Sequence, residues 1–104
     1  MLPKERRLRK KADFDKVFKL GRVLKRPPLR IVWMVGEGRA GIVVARTVGS
    51  NAYRNIVRRR WREALGEIAL PNGIDLVIVI REGGAKERGE ELRESLREGL
   101  THLS

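Results

Sequence analysis

The sequence contains no cysteine, which excludes disulfide bonds and thiolate metal ligands and fits a reducing compartment such as the cytoplasm. It has a single histidine, His102, and it lacks a Walker loop, a GxGxxG pattern and any cluster with metal-ligand spacing. Asp13 and Asp15 form an isolated carboxylate pair, which we assign to the start of a helix with Asp13 as the N-cap. We therefore expect no catalytic residue and no metal ligand in this chain.

Long apolar runs are also missing. Runs such as residues 76–80 are far short of the roughly 20 residues that a membrane span needs, and no apolar segment follows the charged N-terminus. The chain has 104 residues, of which 41% are hydrophobic, enough for one modest core. We expect a single domain over residues 1–104 and no association with membranes.

Acidic residues are scarce in the first part of the chain. Residues 1–62 contain 19 Lys and Arg against 4 Asp and Glu, whereas residues 63–104 contain 5 against 9, for a total net charge of +11. A domain with so uneven a basic excess usually binds a polyanion. We expect residues 1–11 to form a basic arm that becomes ordered on nucleic acid, and the alternative is a frayed, solvated terminus in the free protein.

Apolar periodicity and turn residues predict an α+β fold, with helices packed on a sheet of about four strands. The strand over 40–47 is expected to return antiparallel to the strand before it, and Gly83-Gly84 is expected to be a loop. The apolar strand near the end of the chain should be covered on both faces. Helices are predicted over residues 13–20, 52–69 and 86–100, and strands over residues 29–35, 40–47 and 74–80.

Residues 54–62 contain five arginines. If this segment is a helix, with 100° of rotation per residue, four polar side chains fall within one sector of about 100° beside the buried stripe. These residues are Asn55, Arg58, Arg59 and Arg62. Arg60 falls on the other edge, near Glu63 and Glu67. Guanidinium groups bind phosphate bidentately, and such dense like charge destabilises a helix, so the pattern favours RNA binding. The alternative is a solvated face that only keeps the protein in solution.

Phe14 and Phe18 lie four residues apart and share one face of the first predicted helix with Val17. An exposed aromatic pair can stack on unpaired bases, as in proteins that bind single strands. Core packing is the alternative, and it is the stronger interpretation for at least one of the two rings.

Three blocks of the sequence resemble the ribonuclease P protein family. The family pattern is RL, a basic stretch and DFxxVFxxG, then GxxVSKKxGxAVxRNRxKRxxRE, then an apolar strand between Asp and Arg. The first block here reads RLRKKADFDKVFKLG over 7–21. The second reads GIVVARTVG over 41–49 and continues with RN at 54–55, RR at 58–59 and RE at 62–63. The third reads DLVIVIR over 75–81. Two departures stand out: Ile56 replaces the third residue of RNR, and residues 45–47 read ART instead of SKK.

The resemblance implies a two-layer sandwich of about four strands and three helices, in the order α-β-β-β-α-β-α. This is the ribosomal protein S5 domain 2-like fold, with a left-handed βαβ crossover. It also implies an accessory subunit of an endoribonuclease, whose partners are a catalytic RNA subunit and precursor tRNA, with Mg²⁺ bound mainly by the RNA. The residues implied to face the catalytic RNA are Arg46, Arg54, Asn55, Arg58, Arg59 and Arg62, and those implied to line a cleft for the single-stranded 5′ leader are Phe14, Phe18, Val32 and Val43.

Three other functions are compatible with a basic domain of this size. A ribosomal or other structured-RNA-binding protein would share the basic surface without needing an aromatic cleft. A DNA-binding module is disfavoured because no short helix and turn precede the arginine-rich helix. A stand-alone nuclease would need the acid, base or metal cluster that the sequence lacks.

Overall fold

The computed structural model describes residues 2–103 and contains one four-stranded sheet with four helices. Short 3₁₀ turns cover Lys4–Arg6 and Arg46–Val48. The α+β class and the predicted order of elements are confirmed, with one additional short helix. The elements are α1 (Lys11–Leu20), β1 (Arg22–Arg26), β2 (Leu29–Val35), β3 (Ala40–Val44), α2 (Asn51–Gly66), β4 (Ile74–Ile80), α3 (Glu82–Ala85) and α4 (Gly89–Thr101).

The strands are arranged in the order β1-β2-β4-β3. β4 pairs antiparallel with β2 and parallel with β3, with Ala40 opposite Leu76. The predicted antiparallel pairing of β3 with β2 is therefore wrong. β4 takes the central position because it is the most apolar strand and is covered on both faces, where its side chains lose the most water contact. β3, α2 and β4 form a parallel crossover unit, as the family resemblance implies, and its handedness stays a prediction.

Helices cover both faces of the sheet. On one face α2 and α4 enclose the main core, in which Trp61 is buried and its Nε1–H donates a hydrogen bond to the Gly84 carbonyl at 3.2 Å. Leu92, Leu96 and Leu100 lie on the buried side of α4. On the other face α1 packs over part of the sheet through Val17, forming a smaller second core. α1 thus adds a partial third layer to the predicted two-layer sandwich.

Several predicted boundaries shift by a few residues. α1 begins at Lys11, so Asp13 lies in the first turn and is not the N-cap, and its carboxylate pairs with Arg39 instead. α2 begins where expected, because the Ser50 hydroxyl accepts a hydrogen bond from the Tyr53 N–H at 3.2 Å. It ends at Gly66, earlier than predicted, since glycine and the following loop do not support a further turn. Gly83 and Gly84 lie in α3, where a loop was predicted.

The basic arm lies against the free edge of β3. Leu2 and Leu8 are buried, and the Leu8 N–H donates a hydrogen bond to the Ala40 carbonyl at 2.9 Å. Arg7 forms an isolated parallel bridge with Ala40, so the arm contacts the edge of the sheet at this one point. Among the helices described within residues 2–103, none is long and apolar enough to cross a membrane.

Candidate nucleic-acid interface

One face of α2 is covered with arginine. The buried side chains of Val57, Trp61 and Leu65 fix the rotation of the helix about its axis. The face beside them forms a groove of about 230 Å³, which we call the arginine groove. It is lined by Asn55, Arg58, Arg59 and Arg62. The structure therefore brings together the four residues that the helical period places in one sector.

The positive charge of the arginine groove is not neutralised by neighbouring side chains. Within residues 2–103, no carboxylate forms an ion pair with Arg58, Arg59 or Arg62. The pKa of Arg62 lies below its ordinary value, first because the side chain is partly buried and then because the charges of Arg58 and Arg7 repel another positive charge. A bound anion would relieve this repulsion, so the groove is electrostatically suited to phosphate.

Arg60 stands apart from the groove, as predicted. Its Nη1 donates a hydrogen bond to the Ala85 carbonyl at 3.0 Å, at the end of α3. The expected ion pair with Glu63 or Glu67 is not formed, because Glu67 pairs with Arg93 at 2.7 Å. Arg60 therefore has a backbone partner outside the groove, whereas the hydrogen bond that Arg58 donates goes to Asn55 within it. This difference makes Arg60 a matched control for the groove arginines.

A second cavity, of about 360 Å³, adjoins the arginine groove between the arm, α1, β3 and α2. Arg58 and Arg62 line both spaces. We call this second space the aromatic cleft, because the ring of Phe14 forms part of its wall. Its other lining residues are Leu2, Arg7, Leu8, Arg9, Ala40, Gly41, Ile42 and Leu65.

Phe14 is half-buried and rests on the backbone of β3. A Cβ atom added at Gly41 would lie 2.5 Å from the nearest ring carbon, so only glycine allows the ring to approach this closely. Phe14 therefore both packs against the sheet and lines the aromatic cleft, and its contact with a leader stays a prediction. The sequence signal for this contact is a glycine inside an otherwise apolar strand, which by itself does not identify the partner.

The other three residues expected in the leader cleft have different environments. Phe18 is 44% exposed on α1 and does not line the aromatic cleft. Val43 is partly buried on the same face of the sheet as α1. Val32 is only 3% exposed, since it packs beneath α1 against the smaller core. It is not accessible to a ligand in this structure, so its expected place in the cleft is not observed.

Two further predicted residues lie near the start of α2, outside both cavities. Arg46 is exposed in the 3₁₀ turn after β3, and the Arg54 side chain donates a hydrogen bond to Asn51. Conversely, sequence reasoning did not single out Arg7 and Arg9, which line the aromatic cleft. The only sequence signal for these two residues was the basic composition of the arm. Composition does not show that the arm lies along β3, because that position depends on tertiary packing.

The described residues offer no donor set for magnesium. Within residues 2–103, no group of three or more His, Cys, Asp or Glu side chains is arranged to hold a metal ion. The carboxylates of Asp13, Glu37 and Asp75 each pair with the guanidinium of Arg39, which occupies the space between them with a positive charge. The side chains described here therefore do not fit a protein-bound magnesium ion.

A family model described as Ribonuclease P matches residues 2–104. This chain belongs to the ribonuclease P protein family. It is similar to the ribonuclease P protein component of Rhodococcus opacus (strain B4), with 32% identity over 115 residues that cover 99% of this chain and 92% of the relative. It is also similar to that of Gluconacetobacter diazotrophicus, with 36% identity covering 80% of this chain and 78% of the relative.

Solved structures of the ribonuclease P family share the fold. The protein from Thermotoga maritima superposes with a TM-score of 0.76 at 31% identity, covering 94% of this chain and 97% of the other. A Staphylococcus aureus RNase P protein mutant with defective mRNA degradation activity gives a TM-score of 0.77 at 23% identity, covering 94% and 87%, which shows likeness of fold alone.

Proposed function

We propose that this chain binds the catalytic RNA of ribonuclease P through the arginine groove and holds the single-stranded 5′ leader of precursor tRNA in the aromatic cleft. It would thereby assist the magnesium-dependent endonucleolytic removal of the leader. The observation that carries this proposal is that Arg58 and Arg62 line both spaces. The arginine groove, whose positive charges are not paired with carboxylates, is thus continuous with the aromatic cleft. Structured RNA and single-stranded RNA can therefore be bound next to each other.

In the arginine groove, binding would be electrostatic. Each guanidinium is planar and permanently charged, and it can form two parallel hydrogen bonds with one phosphate. We assign this role to Asn55, Arg58, Arg59 and Arg62, and we add Arg46 and Arg54 as outer contacts at the start of α2. RNA phosphates would replace like-charge repulsion around Arg62 with attraction.

In the aromatic cleft, binding would combine stacking with phosphate contacts. The Phe14 ring offers a face or edge to an unpaired base, and Arg58 and Arg62 reach the same space from α2. Phe18 and Val43 would extend the apolar surface toward the open part of the sheet. Because stacking does not distinguish strongly between bases, this cleft suits leaders of varied sequence.

Chemistry would be carried out by the RNA, with magnesium held by RNA phosphates. Since the described side chains do not fit a metal ion, this chain would contribute position and positive charge rather than metal ligands. We expect it to act in the cytoplasm, in line with its lack of cysteine.

A second candidate is a ribosomal or other structured-RNA-binding protein, which the basic groove alone would also suit. The two functions are separated by the RNA that copurifies at low salt and by cleavage assays. We expect one structured RNA, and we expect specific leader removal from precursor tRNA only when protein, that RNA and magnesium are combined. Copurification of ribosomal RNA would favour the second candidate, and specific cleavage by nuclease-free protein alone would contradict the proposal.

Alanine substitution of Phe14 should weaken binding of precursor tRNA by the assembled complex more than binding of mature tRNA. Base–aromatic stacking contributes roughly 1–3 kcal/mol per base, so the expected loss is about 5-fold to 150-fold for the precursor. Phe18→Ala should have a smaller effect of the same kind, since Phe18 does not line the cleft. The measurement is the pair of dissociation constants with and without the leader, and equal losses for both tRNAs would show that Phe14 only packs the core.

A further inference from the structure

An ion pair between the partly buried Arg39 and the buried Asp75 lies at the end of the sheet that α1 covers. Asp75 is 5% exposed, and its carboxylate accepts hydrogen bonds from the backbone N–H groups of Glu37 and Arg39, both at 3.0 Å. The guanidinium Nη2 of Arg39 donates to the same carboxylate at 3.0 Å. Arg39 is thereby held by both its backbone and its side chain, which fixes the direction of its guanidinium.

The surroundings of this pair make it rigid. A Cβ atom at Gly36 would come within 2.4 Å of the Asp75 carboxylate, so the turn before β3 packs directly on the ion pair. Burial works to raise the pKa of Asp75, but the hydrogen bonds from Arg39 and Glu37 outweigh it and hold that pKa below its ordinary value. The hydrogen bond with Asp75 likewise raises the pKa of Arg39. Both groups therefore stay charged at neutral pH.

The second nitrogen of this guanidinium reaches α1. Nη1 of Arg39 lies 3.3 Å from the Asp13 carboxylate, which is 29% exposed, and this contact joins residues 26 positions apart. The N-cap residue of α1, Lys10, makes no capping hydrogen bond through its side chain. Apolar contacts beneath α1 are not directional, whereas an ion pair with fixed geometry is. The Arg39–Asp13 contact thus restrains the first turn of α1.

The restrained turn carries Phe14. This residue follows Asp13 directly, and its ring rests on Gly41, two residues after Arg39 in the same segment of chain. We propose that Arg39, oriented by Asp75, is a positioning residue that sets the pose of the Phe14 ring in the aromatic cleft through Asp13. The leader-binding part of this inference rests on the function proposed above, while the positioning part concerns the free protein.

The test removes the Asp13 carboxylate and follows the Phe14 ring. Alanine is a good helix former, so Asp13→Ala breaks the contact without weakening α1 through propensity. Asp15→Ala is the matched control, because Asp15 is exposed and pairs only with Lys11 on the same helix, at 3.5 Å. Asp13→Glu retains a carboxylate that can still reach Arg39 and serves as the conservative variant.

The first measurement is NMR of the free protein with isotope-labelled phenylalanine, which gives two sets of ring signals because the chain contains two phenylalanines. The Phe14 signals should shift or broaden in Asp13→Ala, recover in Asp13→Glu and stay unchanged in Asp15→Ala, with a nearly constant melting temperature. Unchanged Phe14 signals in Asp13→Ala would overturn the positioning role, whatever the RNA measurements show.

The second measurement is the ratio of affinities for precursor and mature tRNA in the assembled complex. Asp13→Ala should lower this ratio about fivefold, the lower end of what one stacked base contributes, without changing affinity for the catalytic RNA. In a Phe14→Ala background it should cause no further loss, and an additive loss would overturn the inference. If Phe14→Ala itself leaves the ratio unchanged, the proposed leader site is wrong, and the NMR result still decides the positioning role.

Discussion

Replacing Arg58, Arg59 and Arg62 together by alanine is expected to weaken binding to the ribonuclease P RNA by about 100-fold near physiological salt. Each arginine that neutralises one phosphate releases about one counterion, which raises the affinity about fivefold near physiological salt. Losing three such contacts therefore lowers the affinity by about 100-fold. The plot of log affinity against log salt concentration should flatten by somewhat less than three units. The measurement is a filter-binding or fluorescence titration of the RNA at several salt concentrations.

Arg60→Ala provides the control for this experiment. Because the Arg60 side chain donates a hydrogen bond to the Ala85 carbonyl and lies outside the groove, removing it should leave the salt slope nearly unchanged. Lysine at the three groove positions should keep much of the slope but lose affinity, since an ammonium group cannot bind phosphate bidentately. The groove substitutions should not lower the free energy of unfolding, because they remove like-charge repulsion. If Arg60→Ala flattens the slope by as much as a single alanine substitution at Arg58, Arg59 or Arg62, the protein acts through a diffuse positive field and the discrete groove is wrong.

Asp75→Ala is expected to lower the free energy of unfolding by about 3 kcal/mol. The substitution removes a buried carboxylate with three hydrogen bonds, and it leaves Arg39 partly buried with only the more exposed Asp13 and Glu37 as partners. Urea denaturation followed by circular dichroism measures the change. Asp15→Ala, which removes an exposed carboxylate, should change the same quantity by less than about 0.5 kcal/mol.

The contribution of Asp75 should also depend on pH with a definite sign. Its pKa in the folded protein lies below the ordinary value of 3.8, so its stabilisation is fully present above that value. The stabilisation is lost as the pH falls below 3.8 and through the lower folded pKa. The difference in stability between the native chain and Asp75→Ala should therefore be constant at neutral pH and shrink in acid. A difference that grows as the pH falls would contradict the assigned direction.

Strands β2 and β4 were predicted with their observed boundaries, because apolar runs bounded by glycine and proline leave little freedom. The pairing of β3 could not be predicted in the same way. A short loop after β2 favours a hairpin locally, but the sheet gains more by placing the apolar strand β4 in the centre. β1 was not located at all, since residues 22–26 form a charged edge strand whose pattern is weak.

In the candidate site, too, local features could be predicted from the sequence, whereas features that depend on tertiary contacts could not. The arginine groove follows from the helical period, which fixes which residues of α2 share a face once Val57 and Trp61 are buried. Val32 was expected in the leader cleft, but the alternation of side chains along a strand does not reveal that α1 covers this residue. The Asp13–Arg39–Asp75 contacts join residues 26 and 36 positions apart, and no local pattern connects them.

The central position of β4 also determines when the molecule can assemble during synthesis. β1 and β2 can pair early, but β3 has no strand partner other than β4 and the bridge from the arm, among the residues described. A nascent chain that ends before residue 74 therefore has the β1–β2 pair and β3 but lacks β4, the strand that joins them. Without β4, α2 has no complete sheet surface to pack on. Such non-local pairing slows folding and delays it until most of the chain has been made. The arginine groove thus acquires its final shape only after the last strand has been translated, and the RNA binding proposed above would follow synthesis rather than accompany it.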